Sequence, residues 1–116
     1  MMDANEFAAA WEAGWNSHDL DRILAHYHPG IVFRSSKAQA LVGQGTLHGQ
    51  AALRAYWAKA LEWQPDLKFT VVDVYEGHNM LVITYRNHAG VLAAETLRFE
   101  DAQVVEASAC HRKETT

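Results

Sequence analysis

The stretch LKFTVVDVYEGHNMLVITYRNHAGVLAAETLRFEDAQVVEASACH, residues 67–111, decides the fold. Leu67, Phe69, Val71, Asp73 and Tyr75 alternate with Lys68, Thr70, Val72, Val74 and Glu76, and a two-residue period belongs to a strand. Gly77-His78-Asn79 then predicts a turn. Three more strands are expected, Met80 to His88, Val91 to Phe99 and Val104 to His111, separated by turns at Ala89-Gly90 and from Glu100 to Gln103. Strands in succession with short turns between them form an antiparallel meander.

Upstream of the meander the period lengthens. Asp3 can cap a helix, with Glu6 three residues on as its capping-box partner, and Phe7, Trp11, Gly14 and Trp15 recur at helical spacing. Ser17 is read as the cap of a second, shorter helix with Leu20, Ile23, Leu24 and Tyr27 on one face, stopped by Pro29-Gly30 because proline has no N–H for the helix ladder. Ile31 to Ser35 is a short strand, and Ser36 to His48, with Gly43 and Gly45 and no period, reads as a loop placed to act as a lid. From Gly49, the spacing of Leu53, Tyr56, Trp57, Ala60 and Leu61 predicts a third helix that Pro65 closes. Helices followed by a run of strands mark an α+β domain, expected to occupy residues 1–116 as one unit.

Composition narrows the chemistry. A net charge of −4 supplies no basic stripe for phosphates, so nucleic acid is not an expected partner. With Cys110 as the single cysteine there is no internal disulfide and no thiolate metal cluster. Cys110 and His111 are consecutive on a strand, so their side chains leave opposite faces and do not form a nucleophile–base pair with each other. His26 and His28 flank Tyr27 without a third ligand at any motif spacing, and no metal is expected. No phosphate loop, dinucleotide fingerprint or nucleophile elbow occurs, so no cofactor is expected. The acidic start Met1 to Glu6 does not read as an export signal, no window is long and apolar enough for a membrane span, and the tail from His111 to Thr116 is expected to fray. A cytoplasmic location is the expectation.

The order helix, helix, strand, loop, helix, meander resembles the cone-shaped fold of the nuclear-transport-factor-2-like superfamily in its SnoaL-like, ketosteroid-isomerase-related branch. Trp15-Asn16-Ser17-His18-Asp19-Leu20-Asp21 looks like that family's junction between the first two helices, Tyr27 through Val32-Phe33-Arg34-Ser35 like its helix-to-strand passage, and Tyr56-Trp57 like its third helix. Glu95-Thr96-Leu97-Arg98-Phe99 is similar to the strand carrying an acid in the isomerase branch. The resemblance implies helices packed in a curved, mostly antiparallel sheet around a small-molecule pocket, and a homodimer. In that branch a donor on helix one, a carboxylate base at the end of the first strand and a protonated acid on a late strand do the chemistry, a system that is a standard case of pKa tuning. Those positions fall here on Trp11, Ser35 and Glu95. A serine without an activator does not abstract a carbon-bound proton, so the resemblance does not carry ketosteroid isomerisation with it.

From the residues themselves, Glu95 shares a face with Ala93, Leu97 and Phe99, and an acid on a buried face is desolvated and held neutral, able to donate a hydrogen bond. Its bland reading is a strand-mouth glutamate reaching solvent or pairing with an arginine. Trp11, Trp15, Trp57 and Trp63 are expected to pack in the core. Together with Trp15 and Trp57, the rings of Tyr27, Phe33, Tyr56 and Tyr85 are the candidate walls of an apolar ligand cavity, the facing of Tyr85 depending on strand parity. Val105, Ala107, Ala109 and His111 share a face on the last strand, where two alanines leave space and His111 stands as a proton carrier or a solvated terminal histidine. Two functions fit: an isomerase, dehydratase or cyclase acting through Glu95 with Trp11, Ser35 or His111 assisting, and a non-catalytic binding or dimerisation module. The outer face of the meander, apolar at Val71 to Tyr75 and Leu81 to Tyr85, predicts a homodimer.

Overall fold

In the computed structural model, which describes residues 2–113, the meander closes one side of a six-stranded sheet. The chain runs α1 (Ala4–Ser17), α2 (Leu20–Leu24), β1 (Tyr27–Ser35), α3 (Ser36–Val42), β2 (Thr46–His48), α4 (Gln50–Trp63), β3 (Thr70–Gly77), β4 (Met80–Arg86), β5 (Leu92–Glu100) and β6 (Gln103–His111). The strands lie in the order β2-β1-β6-β5-β4-β3, antiparallel except for the parallel pair β1–β6. The α+β class is as expected. Parallel neighbours need a long crossover, and the chain between β1 and β6 supplies it.

Helix α1 forms where its period put it. The Asp3 carboxylate accepts from the Asn5 and Glu6 amides at 3.2 and 3.3 Å, and Phe7, Ala8, Trp11, Gly14 and Trp15 form its buried face. The second helix differs from the expectation at both ends. Asp19, not Ser17, is its cap, accepting from the Asp21 and Arg22 amides, while the Ser17 hydroxyl donates back to the Gly14 carbonyl. The helix stops at Leu24, and Tyr27 already belongs to β1, drawn into pairing with Val104. Pro29-Gly30 therefore stops no helix; it lies in the stretch between Tyr27 and Val32 where β1 leaves its register with β6, a place where proline costs no ladder bond.

The segment expected to be a loop is ordered. Ser35 caps α3 by accepting from the Lys37 and Ala38 amides, Gly43 ends the helix at φ 79°, and Thr46–His48 pairs with Val32–Arg34. Seven residues are too few for a hydrophobic period to be read, which is why α3 was invisible in the sequence. Residues 67–69 are the converse case. They precede β3 because α1 and the loop after it satisfy their backbone: Asn16 exchanges two hydrogen bonds with Phe69, at 2.7 and 2.9 Å, and His18 Nε2 bonds the Leu67 carbonyl.

Two bulges set which residues face inward. On β3, Val72 has no opposite number between the pairs Val71–Tyr85 and Asp73–Thr84, so the inward face passes from Val71 to Val74, and Asp73 and Tyr75 point out. On β6, Val105 is the unpaired residue between Val104–Phe99 and Glu106–Arg98. Val104, not Val105, is consequently the core residue in line with Ala107. Strand β4 settles the open parity: Leu81, Ile83 and Tyr85 face the core. Three of the four tryptophans are buried as expected, but Trp63, in the last turn of α4, is 73% exposed. No helix among the described residues is long and apolar enough to cross a membrane; of the tail expected to fray, His111 is paired in β6 and the Arg112 amide donates to the Leu92 carbonyl, while residues 114–116 lie outside the described residues.

Candidate active site

Strand β5 delivers the acid. Its regular alternation turns Ala93, Glu95, Leu97 and Phe99 inward, and Glu95 is 3% exposed. Among the described residues its carboxyl has no salt-bridge or hydrogen-bond partner, so the arginine-paired reading does not apply. Burial pushes its pKa up to about 8, because a desolvated carboxylate is costly and the proton is retained. At neutral pH the group is a carboxylic acid for most of the time. Three phenols, Tyr27, Tyr56 and Tyr85, crowd it, each held protonated first by its own burial and then by the repulsion Glu95 would exert if ionised.

The acid faces a cavity of about 70 Å3 between the sheet and α4. Trp15, Phe33, Trp57, Phe69 and Tyr85 make its apolar walls, and Ser35, Tyr56, Asn87, Gln64 and His111 bring polar atoms to it. That volume holds a few waters or one small functional group, since a water needs about 10–15 Å3. Small side chains create it: Ala109 opposes Glu95 and Ala93 opposes His111 across the β5–β6 ladder. Glu95 and His111 are thereby diagonal neighbours on one face, roughly 7–8 Å apart by the geometry of such pairs. His111 is half-buried rather than a solvated terminal residue, and burial followed by the nearby Lys37 ammonium lowers its pKa below 6.5. The cavity therefore holds a neutral acid and a neutral imidazole on adjacent strands, while Cys110 sits exposed on the outer face.

The other candidates divide. Trp15, Phe33, Tyr56, Trp57 and Tyr85 line the cavity with Glu95, Ser35 and His111. Trp11 and Tyr27 stand behind the wall. Trp11 stacks on Phe69 at 5.5 Å and meets Tyr85 edge-on at 5.0 Å, and Tyr27 abuts Trp57. The Trp11 N–H and the Tyr27 hydroxyl are neighbours, but their contact misses hydrogen-bond geometry, so both atoms, with the Trp15 N–H, are buried without a partner. Ser35 has its oxygen engaged in capping α3, and its hydroxyl offsets part of the rise in the Tyr56 pKa. Lys37, Gln64 and Asn87, at the rim, were missed by sequence reasoning, since nothing in their neighbours' pattern marks an inward side chain. His26 packs edge-on against Phe7, and the His28 Nδ1 accepts from the Gly30 amide. No cluster of three metal-ligating side chains occurs among the described residues.

Comparison with protein families matches residues 8–111 to the SnoaL-like domain. Among solved structures, a SnoaL-like protein of unknown function from Burkholderia thailandensis is 38% identical, with 95% of each chain covered and a TM-score of 0.89. IdmH, a candidate polyketide cyclase from Streptomyces antibioticus, is 16% identical over 95% of this chain and 92% of its own, with a TM-score of 0.79. AclR, a candidate hydroxylase from Streptomyces galilaeus, is 21% identical over 94% and 88%, with a TM-score of 0.73. The last two likenesses are of fold alone. The comparison with curated proteins returned no match.

Proposed function

From the premise that this chain belongs to the SnoaL-like domain family, we propose that it is a small enzyme acting on an apolar carbonyl compound by proton transfer next to the carbonyl. The observation that carries this reading is Glu95, a buried acid facing a cavity without a protein partner. A carboxyl in that state is poised to give its hydrogen bond to a substrate oxygen, where it stabilises the negative charge of an enolate. His111, kept neutral, takes the proton from the adjacent carbon onto its free nitrogen. Its lowered pKa makes it a weak base, suited to a C–H already acidified by one or two carbonyls. Return of the proton to another carbon gives isomerisation; loss of a β-hydroxyl as water gives dehydration; attack on a second carbonyl closes a ring. The fold-level likeness to a candidate cyclase supports that range of reactions without choosing within it.

Because one group must be protonated and the other not, kcat/KM is expected to be bell-shaped in pH. The alkaline limb falls near 8 as Glu95 ionises, and the acid limb lies below 6.5 as His111 gains its proton. Exchange of the α-protons of 4-phenylbutan-2-one in D2O, followed by NMR across pH 4–10, measures it. A rate that never rises above buffer catalysis leaves the alternative, a non-catalytic binding module.

The apolar ligand finds support in the aromatic walls. The exposed outer sheet face, with Val72 47% and Tyr75 59% accessible, supports a homodimer closed across β3 and its neighbours. Sedimentation at micromolar concentration is expected to give twice the monomer mass, and a single monomeric species would remove the dimer.

A further inference from the structure

The cavity beside Glu95 is too small for the ligand its walls suit. Small-molecule pockets start at about 300 Å3, and about 70 Å3 does not hold even one aromatic ring with its substituents. The cavity has a continuation. Between α3 and the last turns of α4 lies a groove of about 220 Å3, and Lys37, Tyr56, Ala60 and Gln64 belong to the walls of both spaces. The groove's remaining walls are Ala40, Leu41 and Trp63. Taken together the two spaces reach the size at which ordinary ligand sites begin.

Two features of the groove are unexplained by folding. Trp63 is the most exposed large apolar side chain in the protein's described residues, with most of its surface left in water. Lys37 has no acidic partner among the described residues, although it stands at the throat joining groove and cavity. The one carboxyl in either wall, that of Glu95, is buried in the cone behind it. The throat is thus a site of positive charge between an aromatic-walled cavity holding one acid and an apolar exterior ledge.

Resting on the reading of the cone given above, we propose that the α3–α4 groove is the outer half of the substrate site: Trp63 and Leu41 carry the ligand's ring or tail, and Lys37 takes a carboxylate or equivalent anion placed between that tail and the carbonyl inside. The substrate class is then a branched keto acid, with a short carbonyl arm, a negative charge at the branch and an apolar arm that stays outside. A flat ring laid on an indole gains from stacking as well as from burial, and the ammonium of the exposed Lys37 adds a smaller, salt-sensitive attraction.

Three probes separate these contributions in calorimetric titrations: 4-oxopentanoate, 2-phenyl-4-oxopentanoate, and the methyl ester of the latter. The phenyl acid is expected to bind wild type about three- to tenfold more tightly than 4-oxopentanoate, and Trp63→Ala is expected to erase that difference while leaving 4-oxopentanoate unchanged. Lys37→Gln is expected to weaken both acids about two- to fivefold and to leave the ester alone. Trp63 is exposed, so its truncation does not threaten folding. Equal affinity of wild type for the phenyl and unsubstituted acids, or an unchanged phenyl advantage in Trp63→Ala, overturns the outer site. Loss of the ester by Lys37→Gln as fully as the acid overturns the anion. These titrations read binding and the proton-transfer reading stands on turnover, so either can fail while the other survives.

Discussion

Glu95→Gln is expected to lower kcat for α-proton exchange about 10²- to 10⁴-fold, with the fold and ligand affinity largely kept. The amide has nearly the shape of the acid and can still donate a weak hydrogen bond from its nitrogen, but it cannot give up a proton or match the strength of a carboxylic acid facing a forming enolate. His111→Gln is expected to fall in the same range, and the double variant to lose little beyond either single change, because the two groups serve one transition state. A Glu95→Gln protein that exchanges α-protons as fast as wild type removes the acid from the mechanism. Circular dichroism and calorimetric binding of the ketone separate that outcome from misfolding.

The second large effect is on stability, and the sign follows from the direction of the shift. The Glu95 carboxyl has a folded pKa of about 8 against an ordinary 4.5. Below pH 4.5 it is neutral in both folded and unfolded chains and burial costs little. Between 4.5 and 8 the unfolded chain releases the proton and the folded one keeps it, so stability declines as pH rises; above 8 the folded chain carries a buried charge and the penalty is complete. Scaled by 1.36 kcal/mol per pKa unit, the full penalty is on the order of 4–5 kcal/mol. Glu95→Gln, which has no charge to bury, should therefore unfold at higher urea than wild type at pH 9, with the gap narrowing as the pH approaches 4.5. A gap independent of pH would mean that the carboxyl ionises normally in the folded protein. One substitution that removes activity and adds stability is the signature of a strained functional group, and a structural glutamate would do the reverse.

Much of this was legible in the residues. The periods of α1 and α4 and the alternation of β4 and β5 are long enough to read, and Glu95 among Ala93, Leu97 and Phe99 identified its own face. What escaped was whatever depended on single residues out of step. The bulge at Val72 exchanges the two faces of β3, the one at Val105 those of β6, and an alternation count has no means of seeing either. Asp19 rather than Ser17 caps α2 because both types cap well and only the chain's turn at His18, φ 60°, selects between them. In the site, the aromatic walls were visible as a class, but that Trp11 and Tyr27 stand one layer back is a matter of how rings stack on one another. Lys37 was hidden because its helix is too short to announce itself.

Val105 has a longer reach than its own position. An odd number of steps separates Val104 from Ala107, yet both look inward, because Val105 takes up the odd step. Flatten the bulge, so that Val105 pairs as an ordinary strand residue, and the far half of the last strand would turn over like a reversed zip: Ser108 and Cys110 would enter the hollow, and the imidazole at the tip would swing to the outside. The facing of His111 is thus written six residues away from it, in a valine outside the cavity wall.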